Sequence, residues 1–232
     1  MTEATAATPA PIPHGEVDAD LRPRMRGWIH LYAVVAAAIA GTVLIVVTAC
    51  LRSIADTVAV TVYVVTICGV FGVSATYHRH LWRTARTRMW TKRGDHSMIF
   101  VFIAGTYTPF CVAGLPASTA AVVLTIVWVG AICGVLLKVC RPTSPRWLGV
   151  ILYIALGWTI VAVAPELASR TGATVIVLLA AGGVLYSVGG VLFALRRPDP
   201  WPHTYGHHEV FHTATVIAAL LHYIAVWLVV FG

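Results

Sequence analysis

The sequence predicts an all-α membrane protein, a bundle of seven transmembrane helices with its N-terminus in the cytoplasm and its C-terminus outside. Two observations predict this fold class. First, 59% of the 232 residues are apolar and 11% are charged, whereas soluble domains average about 45–50% and about 25%. Second, the charged residues are concentrated in short segments between long uncharged stretches. The five cysteines are scattered, which excludes a disulfide-stapled fold.

Seven stretches contain no Asp, Glu, Lys or Arg, and each approaches the roughly 20 residues with which a helix crosses a bilayer core. Their apolar runs are continuous, so the period-two alternation of a transmembrane β-barrel is not seen. The third stretch is the most polar and therefore the weakest of the seven. In order, the stretches are residues 30–50, 57–77, 96–114, 119–137, 147–165, 173–195 and 210–231.

The basic residues predict the orientation of the bundle. Of the 16 Lys and Arg residues, all except Arg52 and Arg170 fall on one side of the predicted topology. Loops rich in Lys and Arg stay in the cytoplasm, so we expect a multi-pass protein of the plasma (inner) membrane with a cytoplasmic N-terminus. The net charge of +7 then predicts contact between these loops and anionic lipid headgroups. Nucleic acid is not expected as a partner, because no basic soluble module is present.

The chain divides into two parts. Residues 1–25 are rich in Ala, Pro, Thr and acidic residues, and they lack the 7–15-residue apolar core of a signal peptide. We therefore expect a disordered cytoplasmic tail over residues 1–25 and a seven-span membrane domain over residues 26–232.

Polar residues at the ends of three stretches indicate a functional site, because ionisable groups at membrane depth are costly. Ser74 and His78 are four residues apart near the end of the second stretch, and so share a helix face. Asp95 immediately precedes the third stretch, while His208 and His212 share a face where the last one begins. The predicted topology brings all five residues to one depth near the cytoplasm. Three imidazoles and a carboxylate at one level are typical of a catalytic zinc site.

Each of these residues also has a simpler interpretation. His78 could be an interfacial side chain, and Asp95 could cap the third helix. Ser74 could hydrogen-bond to the carbonyl of Val70. His222 lies ten residues beyond His212, or about 15 Å deeper along a helix, and is expected to bond between helices instead. The other histidines are interpreted as loop residues or left unassigned: His203 and His207, and His30, His80 and His96.

Several motifs together resemble the hemolysin III family of bacterial membrane proteins. They are SATYH at 74–78, Asp95 followed by IAGTYTPF at 103–110, and HEVFH at 208–212 with His222 in the same helix. This family is similar to the progestin and adipoQ receptors, including the adiponectin receptors, and to the alkaline ceramidases. The resemblance extends from Arg26 to the end of the chain. It implies a Zn²⁺ ion held by His78, His208 and His212, with Asp95 and Ser74 around the metal-bound water.

The first functional hypothesis is a zinc-dependent hydrolase of lipid amide or ester bonds, similar to a ceramidase and involved in membrane lipid homeostasis. Asp95 and Ser74 would be its catalytic residues, and an acyl lipid entering from the bilayer would be its substrate. One alternative is a non-catalytic sensor or receptor of membrane state with structural zinc. Another is a pore-forming haemolysin, although the spans offer few polar side chains to line a channel.

A fourth hypothesis comes from a literal motif. His208 to His212 fits the HExxH pattern of zinc metalloproteases, in which the glutamate is the general base. An intramembrane protease with Glu209 as its base is therefore an open alternative. Its weakness is that the resemblance takes the third ligand from His78, and receptor relatives can carry Gln at the position of Glu209.

Overall fold

The structure is a computed structural model that describes residues 23–141 and 143–232. Within these residues, seven helical segments are long and apolar enough to cross a membrane, which confirms the predicted seven-span membrane fold. The helices are α1 (Trp28–Leu51), α2 (Ile54–Arg79), α3 (Ala85–Gly114), α4 (Ala117–Cys140), α5 (Arg146–Gly157), α6 (Ala164–Thr171), α7 (Ala173–Leu195) and α8 (His207–Phe231). Helices α5 and α6 together form the fifth span, joined by a 3-10 turn over Trp158–Val163.

Helices α1, α3, α5 and α8 begin at the same end of the bundle, where α2, α4 and α7 finish. We call this end the basic end, because among the described residues every Lys and Arg except Arg52 and Arg170 lies towards it. That the basic end faces the cytoplasm stays a prediction. Of the tail predicted over residues 1–25, residues 1–22 lie outside the described residues.

Helix α3 begins earlier than predicted. Thr84 caps it by accepting a hydrogen bond from the Thr87 amide, and the helix runs from Ala85 without a break. The basic residues of this segment indicated a loop, but Arg, Lys and Met are good helix formers, so the helix simply projects beyond the apolar core. Asp95 therefore lies in the third turn of α3. The interpretation of Asp95 as the cap of this helix is wrong.

Helix α3 is also the most buried span. It packs against α2 and α4. Helix α8 packs on α7 and also contacts α1, α2 and α3, so the first and last spans meet and the bundle closes around α3. Contact with α2 is close because Gly105 has no side chain: a Cβ atom there would lie 2.0 Å from the Thr66 hydroxyl oxygen. Small residues allow this kind of backbone approach in membrane bundles. The close packing of α2, α3 and α8 brings their basic ends together.

The fifth span is broken near its middle, and Tyr107 of α3 stabilises the break. The Tyr107 hydroxyl donates to the Gly157 carbonyl at 2.6 Å and accepts from the Ile160 amide at 2.7 Å. Backbone groups released from helical pairing within a membrane need partners inside the protein. Tyr107 supplies such a partner for both the donor and the acceptor.

We therefore expect Tyr107→Phe to lower the free energy of unfolding by about 1–3 kcal/mol, because two backbone groups lose their partner. Thermal unfolding of the detergent-solubilised protein measures the change. Tyr32→Phe is the matched control, since Tyr32 is 65% exposed on α1. Equal stability of the two variants would contradict this role for Tyr107.

Candidate metal centre

Three histidine side chains converge at the basic end. Helix α2 carries His78 one turn beyond Ser74, and the first two turns of α8 carry His208 and His212. The Nε2 atoms of His78 and His208 lie 3.1 Å apart. One ring nitrogen from each of the three histidines falls within 4.8 Å of the others, so the three could hold a metal ion.

The spacing and the chemistry of these donors fit a small divalent ion. Imidazole nitrogens bind zinc at about 2.0–2.1 Å, which places two ligands of a tetrahedral ion about 3.3 Å apart. The 3.1 Å distance between the Nε2 atoms of His78 and His208 is close to that value. His212 is buried and the other two residues are half-buried. Three protein ligands would leave one position of a tetrahedral ion for water or substrate.

Asp95 and Ser74 lie beside this cluster. The Asp95 carboxylate oxygen Oδ2 is 3.9 Å from the His78 Nε2 atom, which is beyond hydrogen-bonding distance. Ser74 is buried on α2 beside the Asp95 carboxylate. Asp95 thus lies next to His78, with the Ser74 hydroxyl as a neighbour from α2. The early start of α3 puts this carboxylate on a formed helix rather than on a loop.

Glu209 has a structural role in this geometry. Its Oε1 atom accepts a hydrogen bond from the Arg26 guanidinium, and its Oε2 atom accepts one from the Gly206 amide at 3.0 Å. The side chain is 2% exposed. With both oxygens engaged, Glu209 fixes the start of α8 and is not free to activate water. This arrangement argues against the metalloprotease interpretation of the HExxH motif.

The segment before α1 reinforces the same region. The Arg24 and Met25 amides donate hydrogen bonds to the carbonyls of His203 and Thr204 in the loop before α8. Together with the pair between Arg26 and Glu209, these bonds tie the start of the first span to the start of the last. We call residues 24–26 the N-terminal strap. It holds the turn of α8 from which the histidines project.

His30, which the sequence left unassigned, packs directly against the cluster. Its ring stacks on His212 with 3.8 Å between centroids and 15° between planes, and Phe71 lies 5.0 Å away. His30 is 3% exposed, and neither of its ring nitrogens has a hydrogen-bond partner among the described residues. One signal was available in the sequence, since His30 opens the first uncharged stretch and so lies at the basic end.

The other histidines lie outside the cluster. The ring of His222 faces the Leu179 carbonyl, with Nε2 at 3.2 Å, and so joins α8 to α7. His80 packs edge-on against Trp82. The His207 amide donates to the Asp199 carboxylate at 2.9 Å. His203 is exposed in the loop before α8, and the His96 carbonyl accepts a hydrogen bond from the Tyr153 hydroxyl.

The structural role of Glu209 can be measured with a double-mutant cycle. We expect Glu209→Gln and Arg26→Gln each to destabilise the fold, with a coupling free energy on the order of 1–3 kcal/mol between them. Denaturant unfolding of the two single variants and the double variant gives this coupling. Each folded variant should still bind metal, because all three histidines remain. Additive effects with no coupling would show that the pair does not anchor α8.

The stacked ring of His30 predicts a difference between two substitutions. His30→Ala removes the ring that fixes the plane of His212, and we expect about tenfold weaker binding of Zn²⁺, the lower end of the range for groups that orient metal ligands. His30→Phe keeps a stacked ring and should stay within about threefold of the parent. Competition with a chromogenic chelator measures both affinities, and Tyr32→Ala on the same helix is the control. Equal losses in the Ala and Phe variants would rule out stacking as the cause.

Comparison with known proteins agrees with this description. A sequence model of a family described as haemolysin-III related matches residues 20–223. The hemolysin-3 homolog of Bacillus subtilis (strain 168) is 39% identical over 120 residues, which make up 51% of this chain and 53% of the relative. Hemolysin-3 of Bacillus cereus is 40% identical over 114 residues, or 49% of this chain and 51% of the relative.

A weaker similarity extends further along the chain. The monocyte to macrophage differentiation factor of Homo sapiens is 24% identical over 169 residues, which cover 72% of this chain and 68% of that protein. The two bacterial matches span only about half the length of each relative. The family model, in contrast, covers nearly all of the seven-span region. This protein is therefore a multi-pass membrane protein that belongs to the haemolysin-III related family.

Proposed function

We propose that this protein is a zinc-dependent hydrolase of lipid amide or ester bonds, ceramidase-like, that acts in membrane lipid homeostasis. One observation carries the proposal. A cluster of three imidazoles lies within the spans, beside the Asp95 carboxylate and the buried Ser74 hydroxyl. A cluster that served only to hold helices together would not need that adjoining pair.

His78, His208 and His212 would hold the zinc ion. When bound, zinc supplies Lewis acidity for a carbonyl and a nucleophilic hydroxide near neutral pH. Asp95 supplies the base: from its place beside His78, its carboxylate accepts a proton from the nucleophile and returns it to the leaving group. Ser74, which is buried beside that carboxylate, would help to position it.

An apolar cavity lies deeper in the membrane than the histidine cluster, and it favours a lipid as the substrate. It lies between α3, the broken fifth span, α7 and α8, and its lining includes Phe110, Trp158, Val161, Leu179 and His222. Since His222 is ten residues along α8 from His212, the cavity lies about 15 Å deeper than the metal cluster. A hydrocarbon chain could occupy this space while its polar linkage remains at the level of the histidines. Val161 is exposed on the outer surface of the bundle, where the bilayer would give access.

A second candidate function is a sensor of membrane state in which the metal has no catalytic role. It is favoured by the distribution of the ligands, because a metal ion bound by His78 and by the pair on α8 would cross-link two distant spans. In that case, binding would stabilise one arrangement of the helices without turnover of a lipid.

The test separates metal binding from catalysis. We expect His212→Ala to lose both zinc and lipid hydrolysis, because a ligand is removed. Asp95→Asn should retain zinc and lose hydrolysis by a factor of about 10²–10⁴, as expected for removal of a general base. Elemental analysis gives the zinc content, and mass spectrometry of ceramide and ester-lipid products gives the activity.

His203→Ala is the matched control, because it removes an exposed histidine from the loop before α8. It should change neither quantity. Full hydrolysis by zinc-free protein would end the hydrolase proposal. Stoichiometric zinc without product from any lipid class would favour the sensor.

A further inference from the structure

A groove on the outer surface of the bundle runs between α1 and α2 at the basic end, and it opens away from the protein interior. Thr76 and Arg79 are exposed there, whereas Ser74 on the same helix is buried towards the metal cluster. The groove is lined by Leu31, Val34, Gly72, Ala75, Thr76, Arg79 and His80.

The mouth of the groove carries a cation that is held in place. The Arg79 guanidinium lies over the Trp28 ring, 3.5 Å from its centroid. Gly27 makes this approach possible: its φ of 80° is in the left-handed region, and a Cβ atom there would lie 2.7 Å from the Arg79 Cγ atom. Trp28 in turn stacks on Tyr32. Trp and Tyr concentrate at the level of lipid headgroups, so Arg79 is fixed at that level.

Arg79 has no carboxylate partner among the described residues. At the basic end, Glu209 pairs with Arg26, Asp199 pairs with His207, and Asp95 lies beside His78. The two remaining described carboxylates, Asp56 and Glu166, lie near the opposite ends of their spans. A fixed cation next to exposed His80, without an acid to neutralise it, is complementary to a phosphate group.

The rest of the groove suits a hydrocarbon chain. Leu31 and Val34 form the side on α1, and small residues form the floor on α2. A Cβ atom on Gly72 would lie 3.6 Å from a Val34 methyl group, which is ordinary van der Waals contact, so a side chain larger than alanine at position 72 would extend into the groove. The Thr76 hydroxyl bonds to the Gly72 carbonyl and leaves no free backbone acceptor there. Apolar walls below a cationic mouth match the two ends of a phospholipid.

We propose that this groove binds one anionic glycerophospholipid, with its phosphate at Arg79 and His80 and an acyl chain along Leu31, Val34, Gly72 and Ala75. The site lies on the outer side of α2 from the histidine cluster. It is independent of whether the metal centre hydrolyses lipids. The bound lipid would stabilise the packing of α1 against α2, close to the N-terminal strap that precedes α1.

The test is native mass spectrometry of the delipidated full-length protein titrated with phosphatidylglycerol or phosphatidylcholine. We expect one phosphatidylglycerol to bind preferentially. Arg79→Gln should weaken that binding about fivefold or more, the effect of one basic residue at an anionic surface. Arg79→Lys should retain most of the affinity, because it keeps the charge. Arg86→Gln is the matched control, since Arg86 is exposed at the basic end but does not line the groove.

Gly72→Leu tests the acyl part of the site, because its side chain would fill the groove. We expect it to weaken phosphatidylglycerol binding at least as much as Arg79→Gln, and we expect glycerol phosphate to compete poorly. The melting temperature and zinc content of every variant show whether the fold and the metal centre are intact. If Arg79→Gln does not fold, His80→Gln replaces it.

Equal losses of binding in the Arg79 and Arg86 variants would indicate a diffuse effect of charge and would overturn the proposal. Unchanged binding by Gly72→Leu, or full competition by glycerol phosphate, would also overturn it.

Discussion

The whole architecture depends on one constraint: within a bilayer, polar groups must find their partners inside the protein. Helices satisfy nearly all backbone groups, and the exceptions are few and local. Where the fifth span breaks, Tyr107 supplies the missing donor and acceptor. Where the last span begins, Glu209 bonds to the Gly206 amide and to Arg26. His30 is one of five described residues whose buried side-chain polar atoms have no hydrogen-bond partner, and its ring stacks on His212 of the histidine cluster.

The spans were predictable because charge is excluded from the bilayer core, and the positions of Lys and Arg therefore delimit them. The start of α3 was not predictable on the same grounds. Basic residues mark the edge of the apolar core, but they do not end a helix, so the helix of Asp95 extends for three turns beyond the boundary that charge indicated. The break in the fifth span escaped prediction because it depends on a hydroxyl from another helix.

The candidate site was also predictable only in part. Helical spacing placed Ser74 with His78 and His208 with His212, since residues four apart share a face. Contacts between helices could not be predicted from the sequence in this way. The stack of His30 on His212 and the pairing of Arg26 with Glu209 join residues that are about 180 positions apart, and nothing in local spacing announces them. The HExxH pattern has the same limit, because a motif does not reveal that its glutamate already has two partners.

The distribution of the histidines along the chain also has a consequence for biosynthesis. His78 ends the second span, while His208 and His212 begin the last, and 130 positions separate the first of them from the second. A ribosome must therefore deliver five further spans to the membrane before the cluster is complete. The N-terminal strap has the same requirement, since its partners also precede or begin the last helix. Acquisition of the metal would thus coincide with the end of insertion, so that a chain truncated before its last span has neither the ligand set nor the closure of the bundle.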